Sequence, residues 1–170
     1  MRITGGRWRN RRLASPDDPR ARPTTERVRE AWMNIIADRL PGARVVDLFA
    51  GTGAMGLEAL SRGAAACDFV ELVPRNLTLL GENLKLLGAE GCRILRADAL
   101  RFAAKLEPLA YEVAFADPPY TTRHATRIAD LFRRRAFARI LGVEHDRSED
   151  VGPGDHRRYG TTVLTFLEAE

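Results

Sequence analysis

Four consecutive residues, Asp117-Pro118-Pro119-Tyr120, carry the most specific chemistry in the chain. Two prolines in a row fix an extended backbone and remove two N–H donors, leaving carbonyl groups that only accept. Such a sequence suits an exocyclic amine of guanine or adenine, a poor nucleophile because its lone pair is delocalised into the ring. The Asp117 carboxylate and the Pro118 carbonyl would hold the two N–H groups and leave the lone pair aimed at an electrophilic methyl group. Tyr120 would stack on a base swung out of its helix. Catalysis of this kind is positioning plus electrostatics, with no covalent intermediate on the protein.

A second constellation is spread over three strand ends. Asp47 precedes Phe49-Ala50-Gly51-Thr52-Gly53-Ala54-Met55-Gly56, and Glu71-Leu72 and Asp98-Ala99 follow later. Gly51-x-Gly53-x-x-Gly56 matches the dinucleotide fingerprint, with Glu71 about 20 residues further on to hold a ribose. That match alone does not separate a nicotinamide dinucleotide from S-adenosylmethionine. Asp47 lies four residues before the first glycine, where it would meet the amino-acid end of the ligand, a group that a dinucleotide lacks. Asp98 offers a carboxylate to an adenine amino group. The glycines allow the backbone to approach a ligand at a helix N-terminus.

Other chemistries are poorly supplied. His124, His145 and His156 are scattered and read as surface residues, and no Cys/His grouping has metal-ligand spacing, so no metal is expected. Cys67 and Cys92 sit in apolar stretches and read as reduced core thiols. No cysteine follows a proline, which argues against thiol attack on a pyrimidine ring.

These residues need strands and helices to bring them together. The pattern predicts strands at 45–49, 67–71, 93–96, 113–116, about 140–143 and 162–167, with helices between them. Asn76 is expected to cap a helix that turns Leu77, Leu80, Leu84 and Leu87 inward and stops at Gly88. Before them, Thr24 is expected to cap a helix with Glu26 in its first turn and an apolar stripe of Val28, Ala31, Trp32, Ile35 and Ile36. Strand–helix alternation implies α/β architecture with a mostly parallel sheet covered on both faces. Ligands on such sheets bind at the carboxyl ends of the strands.

The chain of 170 residues suits one domain: a basic arm (1–22), an N-terminal helix (23–40) and a catalytic α/β core (44–170). Net charge is +4, but its distribution matters more. Residues 1–30 hold nine arginines against four acids, while the remaining 140 residues carry a net charge of −1. Of the 27 basic residues only Lys85 and Lys105 are lysines. The planar guanidinium suits phosphates and stacks on bases. The first half of the arm is expected to pair as a short hairpin and the second to be loop; Trp8 and Leu13 argue that it packs. No apolar run approaches the ~20 residues that span a bilayer, and no signal peptide is apparent.

With these motifs in place, the chain resembles the bacterial small-subunit (16S) ribosomal RNA guanine-N2 methyltransferase family over essentially its whole length. The matching stretches are Arg2-Ile3-Thr4-Gly5-Gly6 with Arg11-Arg12-Leu13, Arg22 to Ala31, Asp47 to Ala64, Phe69-Val70-Glu71 and Asp117 to Tyr120; Tyr159-Gly160-Thr161-Thr162 matches less specifically. Glu26 stands where the family usually has Asp, and Trp32-Met33 where it usually has Leu-Phe. The segment after Tyr120 is abbreviated and rich in arginine (Arg133, Arg134, Arg135, Arg139).

The resemblance implies a Rossmann-like class I sheet that uses S-adenosylmethionine. Cofactor contacts are implied at Asp47, Phe49, Ala50, Gly51, Gly53, Glu71, Leu72, Asp98 and Ala99, and catalytic contacts at Asp117, Pro118, Pro119 and Tyr120. RNA contacts are implied at Arg2, Arg7, Arg11, Arg12, Arg22, Thr24, Arg27 and Arg29. The implied partner is ribosomal RNA or an assembling small ribosomal subunit, met by a cytoplasmic monomer without a membrane. Three rivals remain at this point: an adenine-N6 methyltransferase, a non-catalytic ribosome-assembly module, and a nicotinamide oxidoreductase.

Overall fold

The computed structural model describes residues 1–17 and 25–170. Seven strands form one sheet: β1 (Arg44–Leu48), β2 (Ala66–Glu71), β3 (Cys92–Arg96), β4 (Tyr111–Ala116), β5 (Ala138–Asp146), β6 (Asp155–Tyr159) and β7 (Thr162–Glu168). Their order is β3-β2-β1-β4-β5-β7-β6. The first five strands pair in parallel, and β7 inserts antiparallel between β5 and β6. From β1 the chain first winds outward to β3, then returns to the other side of β1 with β4. The crevice outside β1 and β4, where this winding reverses, is the place such sheets keep for ligands.

Among the described residues five α-helices cover the sheet: α1 (Glu26–Ile35), α2 (Ala54–Ser61), α3 (Pro74–Leu87), α4 (Ala99–Ala104) and α5 (His124–Arg134). One face is packed by α1, α2 and α3, which bury Val28, Trp32, Leu57, Leu60 and Leu80 against Val45, Phe69, Val113, Phe115 and Leu164. Trp32 stands edge-on to Phe115 and Phe166, with ring centroids 5.6 and 6.3 Å away. The opposite face is packed by α4 and α5 through Leu100, Ala103, Ile128, Ala129 and Phe132. No described helix is long and apolar enough to cross a membrane.

The arm is a third layer on the first face. Arg2 and Arg12 pair as an antiparallel bridge, which makes the expected hairpin. Ile3, Trp8 and Leu13 are buried in the same core as α1–α3. Ser61 pins the arm from below: its hydroxyl accepts from the Trp8 N–H at 3.0 Å and donates to the Gly5 carbonyl at 2.6 Å.

Several local expectations are corrected. The cap of α1 is Thr25, whose hydroxyl accepts from the Val28 N–H at 3.2 Å; Thr24 lies outside the described residues. Helix α3 begins at Pro74 rather than at an Asn76 cap, because proline is preorganised for the first helical position. The polar strand β6, Asp-His-Arg-Arg-Tyr, gives no apolar alternation and was not expected; it forms because the Tyr159–Thr162 turn folds it back on β7. Two histidines expected on the surface are not there: His145 is buried in β5 and His124 half-buried at the start of α5.

Candidate active site

A cavity of about 500 Å³ opens at the carboxyl ends of β1 to β4. Its lining brings together Phe49, the Glu71–Val73 turn, Asp98 and Ala99, and Asp117 through Tyr120, with His124 closing one side. Residues from four strand ends, up to 71 positions apart in sequence between Phe49 and Tyr120, thus meet in one concavity. The chain winding described above places them there, since each β–α connection of the parallel part passes this edge of the sheet.

Glu71 ends β2 and organises the floor. Its Oε2 accepts from the Gly51 N–H at 2.6 Å, and its Oε1 accepts from the N–H groups of Leu72 and Val73 at 2.8 and 2.9 Å. A carboxylate has roughly four acceptor sites, so three bonds still leave capacity toward the cavity. Asp98 follows the same design: Oδ1 accepts from the Arg101 N–H at 2.9 Å and caps α4. Leu72 and Val73 are each about half exposed (51% and 50%), an apolar rim beside two carboxylates. Phe49 stacks on His124 with centroids 5.6 Å apart.

The Asp117–Tyr120 segment faces this floor. The Pro119 carbonyl is taken by the Thr122 hydroxyl at 2.7 Å. Among the described residues none donates to the Pro118 carbonyl, the acceptor singled out from the sequence. The Tyr120 hydroxyl is fixed at 2.8 Å from Glu144 Oε1 and 2.9 Å from Thr162 Oγ1. Burial pushes its phenol well above the usual tyrosine range, the Thr162 bond opposes this, and the nearby Glu144 carboxylate adds to it. Glu144 and Thr162 were not singled out from the sequence, although an acid inside the apolar run 140–145 at the end of a strand was the available signal.

Asp47 is corrected. It is 2% exposed and absent from the cavity lining; its Oδ2 accepts from the Gly56 N–H at 2.9 Å. Burial pushes its carboxyl well above the usual range, while the Gly56 N–H pulls it back. It ties β1 to the first turn of α2. The two glycines of the turn also differ. Both have positive φ, but a Cβ on Gly53 would come within 2.4 Å of Leu80, whereas one on Gly51 would meet open space. Gly53 is therefore a packing glycine, whereas Gly51 borders open space and gives its N–H to Glu71; neither is among the residues that line the cavity. Ala50 is buried, its N–H donating to the Val70 carbonyl at 2.9 Å.

The expected RNA residues divide. Arg2, Arg7, Arg11, Arg12 and Arg27 are exposed, with Arg7 lying 4.2 Å over the Trp8 ring and Arg11 Nη2 donating to the Leu86 carbonyl at 3.0 Å. Arg22 and Thr24 lie outside the described residues. Arg29 is corrected: it is 0% exposed, its Nε 3.1 Å from Glu58 Oε1, and it also donates to the Arg2 carbonyl. A charge paired this deeply holds the arm to α1 and α2 and cannot touch RNA. No grouping of three or more potential metal ligands occurs among the described residues.

A seven-strand sheet of this order, with its cavity at the winding reversal, is the Rossmann-like fold of class I methyltransferases. That fold recurs in the Thermus thermophilus 16S rRNA N2 G1207 methyltransferase RsmC, solved with AdoMet and guanosine (TM-score 0.71, 16% identity, 91% of this chain and 45% of that one). The chain belongs to the family described as Conserved hypothetical protein 95, whose model matches residues 1–167. It is 42% identical over 120 residues to Ribosomal RNA small subunit methyltransferase D of Escherichia coli K12. That stretch covers 71% of this chain and only 60% of the Escherichia coli protein. A hypothetical protein of Thermus thermophilus, TTHA0928, superposes with a TM-score of 0.85 at 30% identity, over 99% of both chains.

Proposed function

We propose that this protein transfers a methyl group from S-adenosylmethionine to the exocyclic N2 of a guanine in small-subunit ribosomal RNA. The observation that carries the reading is the facing of two kinds of group across one cavity: ribose- and adenine-type acceptors at Glu71 and Asp98, amine-type acceptors at Asp117 and Pro118. The names of the relatives and the solved complex of RsmC support the same assignment.

The residues fit the cofactor. A cavity of about 500 Å³ lies within the usual range for small-molecule sites. Glu71 retains acceptor capacity for a ribose hydroxyl, Asp98 for an adenine amine, and Leu72 and Val73 offer an apolar surface to the purine ring. When bound, S-adenosylmethionine supplies a sulfonium methyl group open to attack by an amine lone pair. The chain supplies placement. Asp117 and the Pro118 carbonyl accept the two N–H groups of the target amine and set the direction of its lone pair. The Tyr120 ring, held by its hydroxyl, presents a fixed face for the flipped base. Arg2, Arg7, Arg11, Arg12 and Arg27 grip the phosphates of ribosomal RNA, free or in an assembling subunit, and the protein works as a cytoplasmic monomer.

The test is transfer of labelled methyl to small-subunit RNA or particles, followed by nucleoside analysis. N2-methylguanosine is the expected product. N6-methyladenosine would move the assignment to adenine, and no cofactor binding in a calorimetric titration of folded protein would point to an assembly factor without catalysis.

A further inference from the structure

The arm and the glycine turn come from distant parts of the chain, and one side chain touches both. Asn83 lies late in α3, among Leu80, Leu84 and Leu87, and has no solvent exposure. Its Nδ2 donates to the Thr52 carbonyl at 2.9 Å and to the Ala14 carbonyl at 3.0 Å. Its Oδ1 accepts from the Ala14 N–H at 2.7 Å. The amide pairs with both backbone groups of Ala14 as a neighbouring strand would, and gives its remaining proton to the turn between Gly51 and Gly53. An aspartate of the same shape has no proton to give, and glutamine adds a methylene to a filled site.

From this geometry we infer that Asn83 is a positioning residue through which the arm seats the glycine turn. The arm is thereby part of the cofactor site at one remove. The inference rests on reading the Gly51–Gly53 turn as the cofactor loop. Thr52 is buried, so its carbonyl has no ready substitute for the lost donor. A turn released there would carry with it the Gly51 N–H that meets Glu71 and the Gly53 start of α2. Ser61 gives an internal control. Its hydroxyl anchors the same arm by two hydrogen bonds, yet it sits at the far end of α2 from the turn.

The experiment compares wild type, Asn83→Leu, Asn83→Ser and Ser61→Ala. Three quantities are measured: affinity for S-adenosylhomocysteine by calorimetry, melting temperature, and hydrogen exchange of the amides from Gly51 to Met55. Both Asn83 variants are expected to weaken the ligand by about five- to fiftyfold and to speed exchange in the turn. Ser61→Ala is expected to lower the melting temperature with affinity and turn exchange unchanged; should Asn83→Leu fail to fold, Asn83→Ser carries the comparison. Wild-type affinity and exchange in a folded Asn83 variant overturns the inference, as does an equal loss of affinity in Ser61→Ala. If wild type itself does not bind the probe, the cofactor reading has failed instead, and the exchange rates alone decide whether Asn83 seats the turn.

Discussion

Beneath the arm and around the cavity, polar side chains are arranged on opposite principles. Under the arm they are buried and spent on the fold. Glu58 receives the Arg29 Nε at 3.1 Å, the Arg62 Nε at 3.3 Å and the Thr4 N–H at 2.5 Å, and both Arg29 and Glu58 are fully enclosed. Around the cavity, Glu71 and Asp98 are held by backbone N–H groups and keep acceptor capacity facing outward. Residue type alone does not distinguish the two: an arginine of a basic segment became a core residue, and the acids of three strand ends became one anchor and two cavity walls. The Glu58 charge is spent on the fold, whereas Glu71 and Asp98, held by backbone at the cavity, keep acceptor positions for a ligand.

This contrast is broken most severely at Glu58. Glu58→Ala leaves Arg29 buried without its carboxylate, and loss of one partner of such a pair costs about 3–5 kcal/mol. Denaturant unfolding should show that loss, and the double change Arg29→Met with Glu58→Leu should recover most of it. A cost under about 1 kcal/mol for Glu58→Ala would mean the buried network does not hold this face together. On the cavity side the effect should reverse in kind. Asp117→Ala is expected to slow methyl transfer by about a hundredfold or more, with melting temperature and cofactor affinity near wild type. Near-normal turnover would remove Asp117 from the proposed role.

Smaller effects sharpen the same distinction. Replacing the exposed Arg2, Arg7 and Arg12 by Gln should flatten the log–log salt dependence of RNA binding by about 2, taking roughly 0.7 per single-strand phosphate contact. Melting temperature should barely move, unlike removal of the whole arm, which would strip Ile3, Trp8 and Leu13 from the core. An unchanged slope would send the RNA elsewhere on the surface. The smallest effect concerns His145. Burial holds its imidazolium form unfavourable, with its pKa below the ordinary value, opposed by the Asp146 carbonyl and the Glu149 charge. The unfolded chain then binds a proton that the folded one refuses, so this contribution is complete above about pH 6.5 and is lost as pH falls below it. Melting temperature measured from pH 7 to pH 5 should fall, and His145→Gln should shallow that fall.

The sheet, its helices and the four-strand convergence on Asp117–Tyr120 were legible because periodicity and Gly/Pro punctuation are local signals. Glu71, Asp98 and Asp117 were legible because acids at strand ends occupy a place that the winding of a parallel sheet defines. Arg29 was not legible, since its partner Glu58 stands 29 residues away and only tertiary packing decides that a guanidinium turns inward. Asp47 lies behind the cavity rather than in its lining, a difference that packing decides and that sequence does not resolve. Asn83 had a faint signal, an amide amid leucines on the inner face of α3. Strand β6 had none, because its pairing comes from a turn and not from apolar alternation.

The two outer strands have a consequence for assembly. A sheet that is not closed leaves one unpaired row of N–H and C=O groups at each margin, open to addition of a strand from another copy. Here the margins are β3, with Arg93 and Arg96 exposed, and β6, with Asp155, His156, Arg157 and Arg158 all exposed. A strand laid along either margin would have to dehydrate or displace guanidinium groups, two of which are already tied to Asp68 and Asp155. Margin-to-margin growth into extended β-aggregates is thereby opposed at both ends of the sheet, and the arginine-rich composition protects the protein from its own open edges.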